Sequence, residues 1–359
     1  MSVFASINER LDVPKLRVTR YPHEDEYEDN NKTLLGKDSV LEDVQDPRYE
    51  SDEYALAYPP NPKFITSYKY YLEHVACTWT VNENDPAVDY DKFSTAPVAF
   101  QRVILRTAAC IMIGDSVVLD KLRIHVTPIN VKMMFVNQED RENTHQITYS
   151  RWCDVSSDGD YYRSMEFRKK YMSRFDLLAQ KYKDADIGVT LFFIMLCENV
   201  MFAPMFQILC YLATTGYAPH ISNANRLVMR DECIHYRHAR ELLSSFRHKP
   251  SFEFARTILD EFCELTLSLA RDILEDYDDE TLNYRNVEAH FRHVVYGFMS
   301  ENSLFRDETE ESMYESLYGE TPASSYMSLP ETEIKINLME TMSTVYRLPG
   351  IQKPVDMNF

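Results

Sequence analysis

Residues 188–213, GVTLFFIMLCENVMFAPMFQILCYLA, form an apolar run with Glu198 and Asn199 at its centre. The run exceeds the roughly 18 residues that suffice to flag a bilayer span. A carboxylate in the middle of lipid is expensive, and no second span accompanies this one, so the run is expected to be a helix buried in a protein core. Pro204 cannot donate to the carbonyl of Val200 and its ring crowds that carbonyl, which predicts a distortion just after Glu198. A core that takes in this charge must also take in whatever neutralises it.

The rest of the chain suits such a core. Only 8 glycines occur in 359 residues, too few turn formers for a β-rich fold. Apolar residues recur at three- and four-residue spacing in KFITSYKYYLEHVACTW, VAFQRVILRTAACIMIGDSVVLDKL, FARTILDEFCELTLSLARDIL and VEAHFRHVVYGFM. The expected class is all-α, with a helical domain over 56–305. Before it, residues 1–55 read as an acidic, loosely ordered arm, with twelve acids between His23 and Glu53 against Lys32, Lys37 and Arg48. After it, residues 306–359 read as a flexible tail, with six acids and no base from Asp307 to Glu320. No internal repeat points to a solenoid. A formal net charge of −19 repels phosphates, so nucleic acid is not an expected partner. The seven cysteines (Cys77, Cys110, Cys153, Cys197, Cys210, Cys233, Cys263) include no Cys-x-x-Cys pair and mostly sit in apolar context. They read as reduced, and with no apolar signal core in the N-terminal residues of this sequence the expected compartment is the cytoplasm.

Two Glu-x-x-His pairs, Glu142/His145 and Glu232/His235, can each present two ligands from one helical face. With ten histidines and 57 acids, chance alone supplies between one and two such pairs. Two further acids change the weight of the pattern: Asp115 in CIMIGDSVVL and Glu198 both interrupt apolar helices. A lone buried carboxylate is costly or takes up a proton. Two divalent cations balance four carboxylates, and two neutral imidazoles complete the shells. Such oxygen-rich ligation suits iron or manganese better than structural zinc. It is the dimetal pattern of a four-helix bundle, one acid from each of two helices and Glu-x-x-His from each of the others, with an Asp in place of one Glu. Tyr149 follows Glu142 by seven residues and His145 by four, on the same stripe, where a phenol could lose an electron and a proton. Phe202 and Phe206 fall on the side of Glu198.

Taken together, CTWTVNEND, IGDSVV, ENTHQITY, ENVMFAPMF and RDECIH, in that order, resemble the small, radical-generating subunit of class I ribonucleotide reductase. The resemblance covers roughly Tyr54 to His248 and the last fourteen or so residues. It implies a ferritin-like homodimer with two iron ions per chain, manganese being possible. The implied metal ligands are Asp115, Glu142, His145, Glu198, Glu232 and His235, with Tyr149 as the radical and Phe202, Phe206 and Val228 as its apolar pocket. It also implies an outward electron and proton path through Trp79 and Asp231, with Asp231 hydrogen-bonded to His145. A tail ending VDMNF would dock the large catalytic subunit, which reduces ribonucleoside diphosphates, and Tyr346 would relay the radical to it. The 27 residues from Asp115 to Glu142 are a few short of the family's usual interval, and Ser116, Gln146 and Ile147 depart from its common pattern. Other readings compatible with the ligands are a dimetal oxidase or monooxygenase acting without a large subunit, an iron store, and a binding protein that has lost activity.

Overall fold

The structure, a computed structural model, describes residues 60–61, 64–122, 128–246 and 249–305. The acidic arm, the C-terminal tail and Tyr346 lie outside the described residues. Among the described residues the regular elements are helices without a strand, as the glycine count and the apolar spacing predict. The principal ones are α1 (Ile65–Ala76), α2 (Val98–Leu122), α3 (Ile129–Cys153), α4 (Ser173–Lys181), α5 (Ile187–Thr215), α6 (Pro219–Ser244), α7 (Phe252–Ile273) and α8 (Tyr284–Glu301).

Local chemistry sets several boundaries. Asp186 caps α5 by accepting from the Val189 amide at 2.8 Å, and Ser251 and Asn283 cap α7 and α8 in the same way. Pro219 opens α6, where a missing N–H costs nothing. Gly216, at φ +68°, ends α5 in the left-handed conformation that glycine adopts without penalty, and so lets α6 fold back.

Four helices surround the interior. α2 packs along α3, α6 lies against both α5 and α1, and α8 and α7 close over α5. The 29-residue apolar helix α5 is the central one: 89% of its most apolar window is buried, so other helices satisfy its hydrophobicity. Its interior departs from α geometry. Leu196–Met201 is a π-helical turn, and the Phe202 amide reaches back to the Cys197 carbonyl at 3.2 Å. The distortion therefore starts two residues ahead of Glu198 and spans it, earlier than the position of Pro204 suggests. A wider turn absorbs one extra residue and settles the backbone ahead of the proline ring.

Close packing reaches the site through Gly114, the neighbour of Asp115. A Cβ built there would lie 2.5 Å from Cε1 of Phe202 and 3.1 Å from the Met201 methyl. The Phe202 ring is fully buried, so moving it aside means displacing packed neighbours. Alanine in a helix interior gains about 1 kcal/mol of propensity over glycine, whereas overpacking a core costs about 1–3 kcal/mol. Gly114→Ala is therefore expected to lower the urea midpoint of the metal-free protein; an unchanged or raised midpoint would contradict this packing.

Candidate metal centre

Each of four helices turns part of its inner stripe toward one point. α2 supplies Asp115, α3 Glu142 and His145, α5 Glu198 from its π turn, and α6 Glu232 and His235. None of the six is more than 3% exposed. Their ligand atoms fall into two overlapping groups, Asp115/Glu142/His145/Glu232 and Glu142/Glu198/Glu232/His235, with all ligand atoms in a group within 4.8 Å of one another. Glu142 and Glu232 belong to both groups, so both would help to hold either ion of a pair. His145 Nδ1 lies 3.0 Å from Glu232 Oε1 and 3.4 Å from Glu142 Oε2. His235 Nδ1 lies 3.1 Å from Glu142 Oε1, 3.0 Å from Glu232 Oε2 and 3.5 Å from Glu198 Oε2.

These groups fit a pair of metal ions. Both Asp115 oxygens, Glu142 Oε2, Glu198 Oε2, Glu232 Oε1 and His145 Nδ1 are buried without a hydrogen-bond partner. Even the 3.0 Å approach of His145 Nδ1 to Glu232 lacks hydrogen-bond alignment. Buried polar atoms are rarely left so, and six of them pointing lone pairs at one place make a chelating set. Three carboxylates and one imidazole per group match iron or manganese.

The protein alone balances this charge poorly. Burial, with Glu142 and Glu232 nearby, raises the Asp115 carboxyl well above its usual range. Burial would raise Glu142 too, but the close approach of the His145 and His235 imidazoles outweighs it and holds the group at about 2. The imidazoles answer in kind: despite burial, the surrounding carboxylates lift His235 to about 9 and raise His145 strongly. The cluster thus keeps protons that cations would displace.

The outer nitrogens of the two imidazoles have different partners. His145 Nε2 lies 3.3 Å from Asp231 Oδ2, and the same oxygen accepts from Trp79 Nε1 at 2.7 Å. The Trp79 and His145 rings are stacked, with centroids 6.0 Å apart. Arg230 donates to the other Asp231 oxygen at 3.0 Å, and Arg141 donates to the Trp79 carbonyl at 2.8 Å. Burial alone would raise the Asp231 carboxyl, but His145 and Arg230 hold it below the ordinary range. His235 Nε2 instead meets His74 Nε2 at 3.1 Å, ring to ring at 82°. Burial, reinforced by His235, lowers His74 to about 3, so His74 is neutral and accepts. Gln138 orients Glu198, donating to its Oε1 at 2.8 Å.

Tyr149 is fully buried, and its hydroxyl donates to Asn225 Oδ1 at 2.9 Å. Burial, with Asp115 and Glu232 adding to it, pushes the phenol well above its usual range. Val228 lies three residues after Asn225 on α6 and is fully buried; the Phe202 and Phe206 rings meet at 5.7 Å. Phe206 also lines a cavity of about 160 Å³ whose walls include Glu198, Glu232, Met229 and His290. His74, Gln138 and Asn225 carry no motif that marks them in the sequence, and Arg230 carries none beyond opening RDECIH. Gln138 and Asn225 were within reach, since they lie four residues before Glu142 and seven before Glu232 on the ligand stripes.

Comparison with known proteins agrees with this geometry. The sequence model of the family described as "Ribonucleotide reductase, small chain" matches residues 61–299. The ribonucleoside-diphosphate reductase small chain of Ostreid herpesvirus 1 (isolate France) is 25% identical over 300 residues, covering 78% of this chain but only 49% of that one. The chain thus spans about half the length of that relative. The small chain of Variola virus (isolate Human/India/Ind3/1967) is 23% identical over 326 residues, covering 85% of this chain and 97% of its own. Among solved structures, the Rnr4 homodimer of ribonucleotide reductase from Saccharomyces cerevisiae superposes with a TM-score of 0.64 at 15% identity, over 85% of this chain and 98% of that one. At that identity the likeness is one of fold.

Metal uptake should release protons, because His145, His235 near 9 and the raised Asp115 must give theirs up. Apparent affinity should therefore rise with pH up to and through about 9, where His235 loses its proton. A titration with Fe(II) or Mn(II) at constant pH, following the base consumed, reads this directly; uptake without proton release would contradict the cluster. Holding metal at about 100 times Kd should stabilise the fold by about 2.7 kcal/mol per site. His74→Ala should weaken the His235 side about 10- to 100-fold, as loss of a ligand's outer partner does, and leave the affinity of the Asp115/His145 side unchanged.

Proposed function

The chain belongs to the ribonucleotide reductase small-chain family, and on that premise we propose that it generates and stores the radical of a ribonucleoside-diphosphate reductase, on Tyr149. The observation that carries this reading is the unbroken chain from indole to ligand, Trp79 Nε1 to Asp231 Oδ2 to His145 Nε2, at 2.7 and 3.3 Å inside the core. A dimetal oxidase has no use for a buried tryptophan tied to one metal ligand. A radical source that serves another subunit does.

The resident group is taken to be two iron ions per chain, held by Asp115, Glu142, His145, Glu198, Glu232 and His235; the same oxygen and imidazole set accepts manganese. When bound there, the metals supply the reduction of dioxygen. The cavity beside Glu198 and Glu232 offers a small neutral molecule a way to that place. The protein does the rest. Tyr149 is kept protonated by burial and by the nearby Asp115 and Glu232, so its one-electron oxidation also releases the phenolic proton. Full burial of Phe202 and Val228 and the near-complete burial of Phe206 keep water from the stored radical. Asp231 fixes the His145 ring while accepting from Trp79, so charge leaving the indole and charge arriving at the imidazole share one carboxylate.

We further assign the assembly as a cytoplasmic homodimer that docks the large catalytic subunit through its C-terminal tail, with Tyr346 as the relay across that interface.

Tyr149→Phe should keep the fold and two metals per chain, lose the tyrosyl electron paramagnetic resonance signal after Fe(II) and O₂, and abolish turnover with the large subunit. Full turnover in that variant would remove Tyr149 from the mechanism. Trp79→Phe should form the Tyr149 radical and fail to deliver it, giving a normal signal with turnover at background; loss of signal together with turnover would mean that Trp79 serves the site only structurally.

A further inference from the structure

The partner of the Tyr149 hydroxyl is a carboxamide rather than a metal-binding carboxylate. Asn225, 1% exposed, accepts from the phenol through Oδ1 at 2.9 Å. Its other end is poorly used. Nδ2 faces Met229 Sδ at 3.4 Å and Cys210 Sγ at 4.0 Å, and the Cys210 thiol donates to Met229 Sδ at 3.5 Å. Sulfur is a weak acceptor, so a strong N–H donor buried in a dry core is spent on thioether and thiol. The strong bond that fixes this side chain is the one it receives from the phenol.

That bond exists only while Tyr149 keeps its proton. Oxidation removes one electron and the phenolic proton, both passing to dioxygen on its way to water, and leaves an oxygen that accepts hydrogen bonds and donates none. Asn225 Oδ1 would then face an acceptor, at the cost of an unsatisfied buried polar pair. A half-turn about the terminal torsion of the side chain, which is broad and roughly two-fold, exchanges its two ends.

Resting on Tyr149 as the radical site, we propose that Asn225 is a positioning residue that reverses its carboxamide with the redox state of Tyr149. Oδ1 accepts from the phenol in the reduced state, and Nδ2–H donates to the phenoxyl oxygen in the radical state. The sulfur pair accommodates both settings. In the first, Nδ2 rests on Met229 and Cys210. In the second, the displaced Oδ1 takes the Cys210 S–H, a donor that burial keeps protonated by raising its pKa to about 12. Asn225 gains and loses no proton, so it neither relays charge nor acts as a base. A hydrogen bond donated to the phenoxyl oxygen draws spin density from it and lengthens the life of the radical, while return of the proton restores the first setting.

The test is high-field electron paramagnetic resonance with proton and nitrogen double resonance on the reconstituted full chain. Wild-type protein should show one exchangeable proton coupled to the tyrosyl radical, lost in D₂O, and a nitrogen coupling when asparagine is labelled with ¹⁵N in the side-chain amide. Asn225→Leu should form a radical without either coupling, with its largest g-value shifted upward and faster decay. A wild-type radical with neither coupling overturns the proposal without any variant, and so does an Asn225→Leu radical that keeps the proton. If reconstitution gave no tyrosyl signal removable by Tyr149→Phe, the radical assignment itself would fall, and this inference with it.

Discussion

The structure depends on placing four carboxylates in a volume that water does not reach. Asp115, Glu142, Glu198 and Glu232 are at most 3% exposed and come from four different helices. At low dielectric their mutual repulsion exceeds what packing can offset. The protein by itself meets the problem partway, by keeping Asp115 protonated and by charging the two imidazoles. That settlement leaves six buried ligand atoms without hydrogen-bond partners, and two divalent cations would resolve repulsion and orphaned atoms together. The binding energy of metal is thus also the energy that makes the bundle interior tolerable, which ties cofactor loading to stability.

The two halves of the centre are built alike in their ligands and differently behind them. His145 is backed by the carboxylate of Asp231, itself fixed by Trp79 and Arg230. His235 is backed by the neutral imidazole of His74. An anionic partner makes an imidazole a stronger donor than a neutral one does, so the pair is electronically uneven. The stronger donor lies on the side that connects to Trp79.

Apolar packing does chemical work here as well as structural work. α5 is long and hydrophobic enough to suit a membrane, yet its neighbours bury it. Its π turn rotates Glu198 into the cluster and carries Phe202 to within contact of Gly114, beside Asp115. One distorted turn thereby joins ligand supply to exclusion of water. Tyr149 sits in the same dry region with a single strong hydrogen bond, the setting in which an oxidised phenol has few reaction partners.

The helical class, the buried character of α5 and the convergence of two Glu-x-x-His pairs with two stranded acids could be read from sequence, because each is a periodicity within one helix or a composition. The place of Tyr149 on the stripe of Glu142 and His145 was legible for the same reason, whereas its proposed role came from the family resemblance. Gln138 and Asn225 share that register but look like ordinary polar residues until a partner is known. What sequence could not supply is which side chain meets which across helices. His74 touches a residue 161 positions away, Trp79 one 152 positions away, and Tyr149 one 76 positions away. Those pairings follow from crossing angles and from the extra residue absorbed by the π turn, which are properties of packed helices taken together. One-dimensional spacing fixed the ligands, and three-dimensional packing decided their partners.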